Sequence, residues 1–164
     1  MSGRVEAAGW DALARFAAVA DDLVGMTVSH VWRGLGSALF IEFGELTPRL
    51  RGDGSTGNPE GELSLGVEWD WRIEDATSIV FGSGTTDEDW PAHFRRLNGL
   101  HVWNLQLTDR LPEIDLAFSN GFRLRTFCTG DSQPQWFVID KRISTAGEFC
   151  VEDGRVCYRS QTER

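Results

Sequence analysis

Hydrophobic and polar residues alternate without interruption over residues 63–73, which read Leu-Ser-Leu-Gly-Val-Glu-Trp-Asp-Trp-Arg-Ile. Every odd position is large and apolar, and every even position is small or charged. A period of two is typical of a β-strand with one face against a core. The pattern therefore predicts one long strand with Trp69 and Trp71 buried on its apolar face.

Two other segments have the apolar spacing of amphipathic helices. The first covers residues 5–22 and is rich in alanine. Trp10, Leu13, Ala17 and Ala20 recur near the helical period with Phe16 beside them, and the helix is predicted to dock onto a sheet by Trp10, Leu13 and Phe16. The second covers residues 85–96, where Thr86 can cap the first turn and two arginines lie in the last.

Shorter apolar runs on both sides of residues 63–73 predict further strands. These strands cover residues 26–32, 38–43, 78–81, 101–107, 113–118, 122–128, 135–139, 148–152 and 155–159. Asn120-Gly121 and Asp153-Gly154 are the dipeptides that tight hairpin turns favour. The fold class predicted is α+β with mainly antiparallel β-structure.

The order of elements repeats along the chain at a separation of 74 to 75 residues. In each half a helix bearing a tryptophan leads into a Leu-x-Gly end, a strand and a second apolar strand that ends in Phe. We predict two similar helix-plus-meander units, residues 1–84 and 85–164, packed as a sandwich or partly open barrel within one compact domain. A coincidental α+β arrangement is the alternative, because the identity between the halves is low.

Charge narrows the classes of partner. The chain has 25 acidic and 16 basic residues and a net charge of −9. Binding to a nucleic-acid backbone needs a positive surface, so the composition argues against it and favours a protein partner with a basic surface. No run of 18 apolar residues predicts a membrane span, and the first twenty residues lack a signal-like apolar stretch, so the expected location is cytoplasmic.

The residues that could carry chemistry are few. The three cysteines have no metal-ligand spacing and are predicted to be reduced packing residues, and the three histidines are isolated, so neither a metal site nor a cofactor is predicted. Glu68 and Asp70 share the polar face of the predicted long strand, roughly 7 Å apart, with Arg72 next to them. Such a trio can bind a cation or polar ligand, or supply a general acid; a solvated outer face is the alternative.

A run of three acidic residues, Asp87, Glu88 and Asp89, falls in the first turn of the second predicted helix. Negative charge at a helix start interacts favourably with the helix dipole. The same residues are also candidates for recognition of a basic partner.

Several segments resemble small, uncharacterised bacterial proteins. These are residues 97–99 (Leu-Asn-Gly), residues 113–127 with the Asn-Gly turn, residues 71–74 (Trp-Arg-Ile-Glu), Gly82-Ser83, and Trp136. Some such proteins are similar to immunity proteins that neutralise a cognate toxin. The resemblance carries no catalytic residues and leaves the function open.

The favoured hypothesis is therefore a non-enzymatic, acidic immunity or inhibitor protein that masks a toxin or enzyme. Acidic residues would guide association, and aromatic residues would anchor it. Mimicry of nucleic acid is a variant of this hypothesis. The alternatives are a small-molecule-binding β-barrel and a hydrolase that uses Glu68 and Asp70. The polar loop at residues 51–62 is either part of the contact surface or not involved.

Overall fold

The computed structural model describes the backbone of residues 2–108, 110–131, 134–142 and 147–160, and the side chains in these ranges from residue 11 onward. The elements found there are α1 (Ser2–Leu23), β1 (Val28–Arg33), β2 (Leu39–Phe43), β3 (Leu63–Val67), β4 (Trp71–Glu74), β5 (Ile79–Gly82), a 3-10 turn (Asp87–Asp89), α2 (Trp90–Leu97), β6 (Val102–Leu107), β7 (Ile114–Phe118), β8 (Arg123–Thr126), β9 (Trp136–Asp140), β10 (Gly147–Glu152) and β11 (Arg155–Ser160).

The strands form two antiparallel sheets that pack as a sandwich around a shared core. One sheet has the order β1-β2-β3-β9-β10-β11, and the other has the order β5-β4-β8-β7-β6. The predicted α+β class with mainly antiparallel β-structure is confirmed. Nearly every predicted strand is present within two residues of its expected limits.

The exception is the long strand predicted over residues 63–73. β3 ends at Val67 in one sheet, and β4 begins at Trp71 in the other. Between them the chain crosses the sandwich, and Asp70 has a left-handed backbone with φ of 55°. Trp69 lies on this crossover with 41% of its surface exposed, so its predicted burial is wrong, whereas Trp71 is buried. Both strands need alternating apolar residues, and the alternation alone does not reveal the change of sheet.

The two halves meet at a contact with local two-fold symmetry, which we call the two-fold contact. Residues 26–28 pair with residues 100–102, and Thr27 faces His101, its equivalent 74 positions later, at the centre of the contact. The backbone hydrogen bonds on either side are 2.8 and 2.9 Å long and are exchanged by the same 74-residue shift. The registers of β1 with β2 and of β6 with β7 each have an irregularity at equivalent positions. The 74-residue spacing of the sequence repeat thus recurs in the contacts and strand irregularities around this point.

Beyond their first hairpins the halves exchange strands. β4 follows β3 in the chain but pairs with β8, and β9 follows β8 but pairs with β3. The first residues of the exchanged strands, Trp71 and Trp136, make equivalent hydrogen bonds. Their indole Nε1–H groups donate to Ser37 O at 2.8 Å and to Pro112 O at 2.7 Å. Each sheet therefore contains strands from both halves of the chain.

Each helix packs on the core side of the sheets. In α1 the buried face is formed by Ala12, Phe16 and Ala20, and the Phe16 ring lies 5.6 Å from the Trp136 ring. The expectation that Leu13 docks is wrong, because it is exposed, as is Ala17. The side chain of Trp10 lies outside the described residues.

The second predicted helix is shorter than expected. Its first turn is the 3-10 turn over Asp87–Asp89, and the α-helix begins at Trp90. Thr86 does not cap the backbone; its hydroxyl donates to Asp89 Oδ2 at 3.2 Å. The buried indole of Trp90 packs edge-on against Trp71, with ring centroids 5.4 Å apart. No helix in the described part of the chain is long and apolar enough to cross a membrane.

Candidate interaction surface

The loops at one end of the sandwich are joined by hydrogen bonds. β1 starts at the two-fold contact and ends at the hairpin turn 34–38, and the crossover 68–70 lies beside that turn. The Ser37 hydroxyl donates to Glu68 O at 2.8 Å. On the other side of the crossover, Phe127 N–H donates to Asp70 O at 2.7 Å and the Thr129 hydroxyl to Asp70 Oδ2 at 3.2 Å. These contacts fix the crossover between two neighbouring loops.

Arg33 holds the acidic run Asp87–Asp89 at the end of the sandwich where the hairpin turn 34–38 lies. Its Nη1 lies 2.7 Å from Asp87 Oδ1, and its Nε donates to Gly36 O at 2.8 Å. The same guanidinium lies 4.6 Å from the centre of the Trp90 ring. The acidic run Asp87–Asp89 is therefore held beside the hairpin turn. We call the surface formed by Leu35, Glu68, Trp69, Asp70 and Asp87–Asp89 the acidic end.

Two apolar side chains are exposed on the acidic end. Leu35 is 97% exposed at the tip of its hairpin, between Gly34 and Gly36, and Trp69 is 41% exposed. The hairpin is closed by a hydrogen bond of 2.9 Å from Gly34 N–H to Ala38 O. Tryptophan is among the residues most enriched at the centres of protein–protein contacts, and the exposed leucine beside it adds apolar surface that a partner can bury. Sequence reasoning missed Leu35, although its Gly-Leu-Gly context was a signal that it lies at a turn.

The charge at the acidic end is mostly uncompensated. Of its carboxylates, Asp87 has an ion pair with Arg33, while Asp70, Glu88 and Asp89 are exposed and Glu68 is half-buried. The predicted trio is not joined by a direct contact, because Arg72 lies on β4 with its Nε 2.8 Å from Glu74 Oε2. Glu68 and Asp70 lie on the crossover, and the prediction that they share a strand face is wrong. The surface can attract a basic partner electrostatically.

The predicted loop at residues 51–62 belongs to an arm, residues 44–62, that is pinned to the six-stranded sheet. Isolated bridges join Thr47 to Glu60 and Leu50 to Thr56, so the arm doubles back on itself. At its base, Gly61 N–H donates to Glu42 Oε2 at 2.9 Å. Contacts between the arm and the sheet thus order its stem.

Glu42 is the centre of a buried polar cluster under the arm. Its carboxylate also accepts hydrogen bonds from the Trp32 indole at 3.1 Å and from the Ser64 hydroxyl. Lys141 Nζ donates to Ser64 Oγ and lies 3.7 Å from Glu42 Oε2. A serine beside a lysine suggests a nucleophile, but this hydroxyl donates to a carboxylate and is buried. The cluster therefore stabilises the arm by satisfying buried polar groups.

The histidines lie apart. His93 stacks on Phe81 at 4.4 Å, and burial together with Arg96 lowers its pKa. His30 Nε2 lies 3.0 Å from Asn58 Oδ1, and His101 contacts Thr27 at the two-fold contact. Within the described ranges, no three His, Cys, Asp or Glu residues are grouped as ligands for a metal ion.

The cysteines are thiols with raised pKa values. Burial, followed by the charge of Glu113, raises the pKa of Cys128 to about 12, and burial raises that of Cys150 to about 11. Cys150 faces Cys157 across β10 and β11, and the two thiols are not joined by a disulfide. None of these thiols is an activated nucleophile at neutral pH, because only the thiolate attacks.

We expect iodoacetamide at pH 8 to alkylate Cys128 and Cys150 in the folded chain at least about 100-fold more slowly than free cysteine, because a raised pKa removes thiolate. The rate at Cys150 should rise steeply as the pH approaches 11. Peptide mass spectrometry of timed samples measures the rate at each cysteine, with the chain in urea as the control that reacts at the ordinary rate. Rapid alkylation of Cys128 or Cys150 in the folded chain at pH 8 would contradict the raised pKa values.

Comparison with protein-family models, curated proteins and solved structures gives no match. The resemblance to immunity proteins therefore stays a prediction.

Proposed function

We propose that this protein is a non-enzymatic inhibitor of the immunity-protein kind, which masks a basic surface of a toxin or enzyme with its acidic end. The observation that carries the proposal is the exposure of Leu35 and Trp69 among the carboxylates of that surface. Apolar anchors within a ring of charge are what tight protein–protein contacts use, since the anchors supply affinity and the charges accelerate encounter.

The net charge of the whole chain, as well as the exposed carboxylates of the acidic end, supports attraction of a basic partner. A net charge of −9 attracts a basic protein from a distance, and the exposed acids orient it. Arg33, the base beside the acidic run, is already paired with Asp87, so it does little to repel a basic partner. The hydrogen-bonded crossover and hairpin limit the loss of conformational entropy on binding.

The hydrolase alternative has lost its geometric support. It required Glu68 and Asp70 on one strand face, whereas the crossover carries them and Asp70 Oδ2 is hydrogen-bonded to Thr129. The small-molecule alternative placed surplus tryptophans around a cavity. Trp71, Trp90 and Trp136 pack instead against other rings in the core.

The experiment immobilises the chain, passes an extract of the native host over it at low salt, and identifies by mass spectrometry what elutes as salt rises. The expected result is one stoichiometric basic protein. That protein is then purified for rate measurements. If nothing basic is retained by the wild-type chain, or if its release does not depend on salt, the proposal is wrong.

Neutralising Asp70 and Glu88 as Asp70→Asn with Glu88→Gln is expected to lower the association rate constant with that partner about tenfold at low salt. Asparagine tolerates the left-handed backbone at position 70. Stopped-flow fluorescence measures the rate. The matched control, Asp21→Asn with Glu45→Gln, removes the same charge from exposed sites near the two-fold contact and should change the rate less. Equal effects of the two pairs on the association rate constant would show that the acidic end does not guide the partner.

A further inference from the structure

The hairpin turn that presents Leu35 has a flexible sequence. Leu35 lies between Gly34 and Gly36, and Gly36 has a left-handed backbone with φ of 64°. Glycine has more backbone freedom to lose on folding than any other residue. Leu35 itself is 97% exposed, so its side chain contributes little packing that could order the turn. The order of this turn therefore has to come from neighbouring groups.

Arg33 connects the tip of the turn to the core. Its Nε donates to Gly36 O at 2.8 Å, directly beside the exposed leucine. Its Nη1 lies 2.7 Å from Asp87 Oδ1, and the guanidinium lies 4.6 Å from the centre of the Trp90 ring. Trp90 is buried, so the surface under the guanidinium is fixed. One planar group thus contacts the hairpin, the acidic run and the core.

The other hydrogen bonds of the turn do not replace this connection. The Ser37 hydroxyl and carbonyl each make a bond of 2.8 Å, to the crossover and to a core indole, and these fix the C-terminal side of the turn. Gly34 N–H donates to Ala38 O at 2.9 Å, and Ala38 N–H donates to Leu35 O at 3.2 Å. Bonds within the turn move with it, so they do not fix its tip relative to the acidic run.

The second half of the chain shows that the strand pairing does not need an arginine here. Arg33 pairs with Leu39 in the last printed position of β1 with β2, and Leu107 pairs with Ile114 in the same position of β6 with β7. Leu107 is an apolar residue packed against the core. The same strand pairing therefore forms with leucine, and the contacts of Arg33 serve the surface beyond the strand.

We propose that Arg33 is a positioning residue of the acidic end, which orders the turn that carries Leu35 and fixes it relative to the acidic run. The inference rests on the proposed function of this surface. An anchor that is ordered before binding loses less conformational entropy in the complex. Affinity for the basic partner therefore depends on Arg33, although its positive charge opposes that partner. A planar guanidinium makes these contacts together, whereas the compact ammonium of a lysine does not.

The first test needs no partner. Arg33→Lys keeps the net charge at −9 and removes the planar fork of donors. The backbone amide NMR order parameters of Leu35 and Gly36 are expected to fall from about 0.85 to below about 0.6. The matched control is Arg15→Lys on α1, because Arg15 likewise lies 2.8 Å from an aspartate and 5.0 Å from the centre of a tyrosine ring. It should leave both order parameters unchanged.

The second test measures the dissociation constant for the basic protein that the wild-type chain retains from the host extract. Isothermal titration calorimetry should show an increase of about fivefold for Arg33→Lys and at least as much for Arg33→Gln. Arg33→Gln makes the chain more negative, so attraction of charge alone predicts tighter binding and the sign of the change separates the two explanations. Arg15→Lys should bind like the wild type.

Order parameters in Arg33→Lys equal to those of the wild type overturn the proposal, with or without a partner. So does unchanged or tighter binding of the basic protein by Arg33→Gln. If circular dichroism shows that either variant is unfolded, Arg33→Leu replaces it, since leucine stands at the equivalent position 107. Failure of the proposed function is distinguishable, because the wild-type chain itself then retains no basic protein, while the order parameters still decide whether Arg33 holds the turn.

Discussion

Replacement of both Leu35 and Trp69 by serine is expected to raise the dissociation constant of the complex with the basic partner about 100-fold, a loss of about 3 kcal/mol. Leu35 is 97% exposed in the free chain, so its apolar surface gains fully from burial in a partner. Trp69 is 41% exposed and adds an indole, the side chain most often found at the centre of tight contacts.

The kinetics separate these anchors from the charges around them. Because apolar contacts form after encounter, the double replacement should accelerate dissociation and leave the association rate nearly unchanged. Neutralisation of Asp70 and Glu88 should slow association and leave the dissociation rate nearly unchanged. Surface plasmon resonance with the purified partner measures both rates.

The matched control for the anchors is Leu111→Ser. Leu111 is 64% exposed in the loop between β6 and β7, next to Pro112 and outside the acidic end. It lies in the hairpin loop equivalent to that of Leu35, so the fold itself provides the comparison. Equal loss of affinity from Leu111→Ser would show that the apolar contact is not confined to the acidic end. No loss of affinity from the double replacement would show that Leu35 and Trp69 do not anchor the partner.

Trp136→Ala is expected to lower the free energy of unfolding by about 3–5 kcal/mol, which is a large part of the stability of a domain of this size. The side chain is fully buried, packs against Phe16 and donates its indole hydrogen to Pro112 O at 2.7 Å. Its loss leaves a cavity and removes the stronger of the two hydrogen bonds to Pro112 O, the other being the weak one from the Cys128 thiol at 3.7 Å. Because Trp136 begins an exchanged strand, the same cavity weakens the packing between the two halves.

Urea unfolding followed by far-ultraviolet circular dichroism measures this loss. The control is Trp103→Ala, since Trp103 is 73% exposed on β6, and its removal should change the free energy of unfolding by less than about 0.5 kcal/mol. A similar loss from both variants would contradict the assignment of Trp136 to the shared core.

The elements with regular periods could be predicted from the sequence. Alternation and turn dipeptides located the strands, and the 74-residue spacing of the repeat recurs in the contact of Thr27 with His101. The exchange of strands could not be predicted, because Val67 and Trp71 continue one alternating pattern although they belong to different sheets. The left-handed backbone of Asp70, which is not a glycine, cannot be predicted from the hydrophobic pattern.

The candidate site was predicted in composition but not in arrangement. Glu68, Asp70 and the acidic run were selected as separate features of a strand and a helix. The acidic run lies at the same end as Glu68 and Asp70 because Arg33 contacts both Asp87 and Gly36. Such a contact joins residues far apart in sequence and has no local signal.

The most direct test of the acidic end as an inhibitory surface is a titration of the purified partner's own activity with increasing amounts of the chain. Inhibition is expected to be complete at one chain per partner molecule with the wild type. With Leu35 and Trp69 both replaced by serine, about 100 times more chain should be needed once the partner is dilute enough for affinity to limit binding. Full partner activity at saturation with the wild-type chain would contradict an inhibitory role.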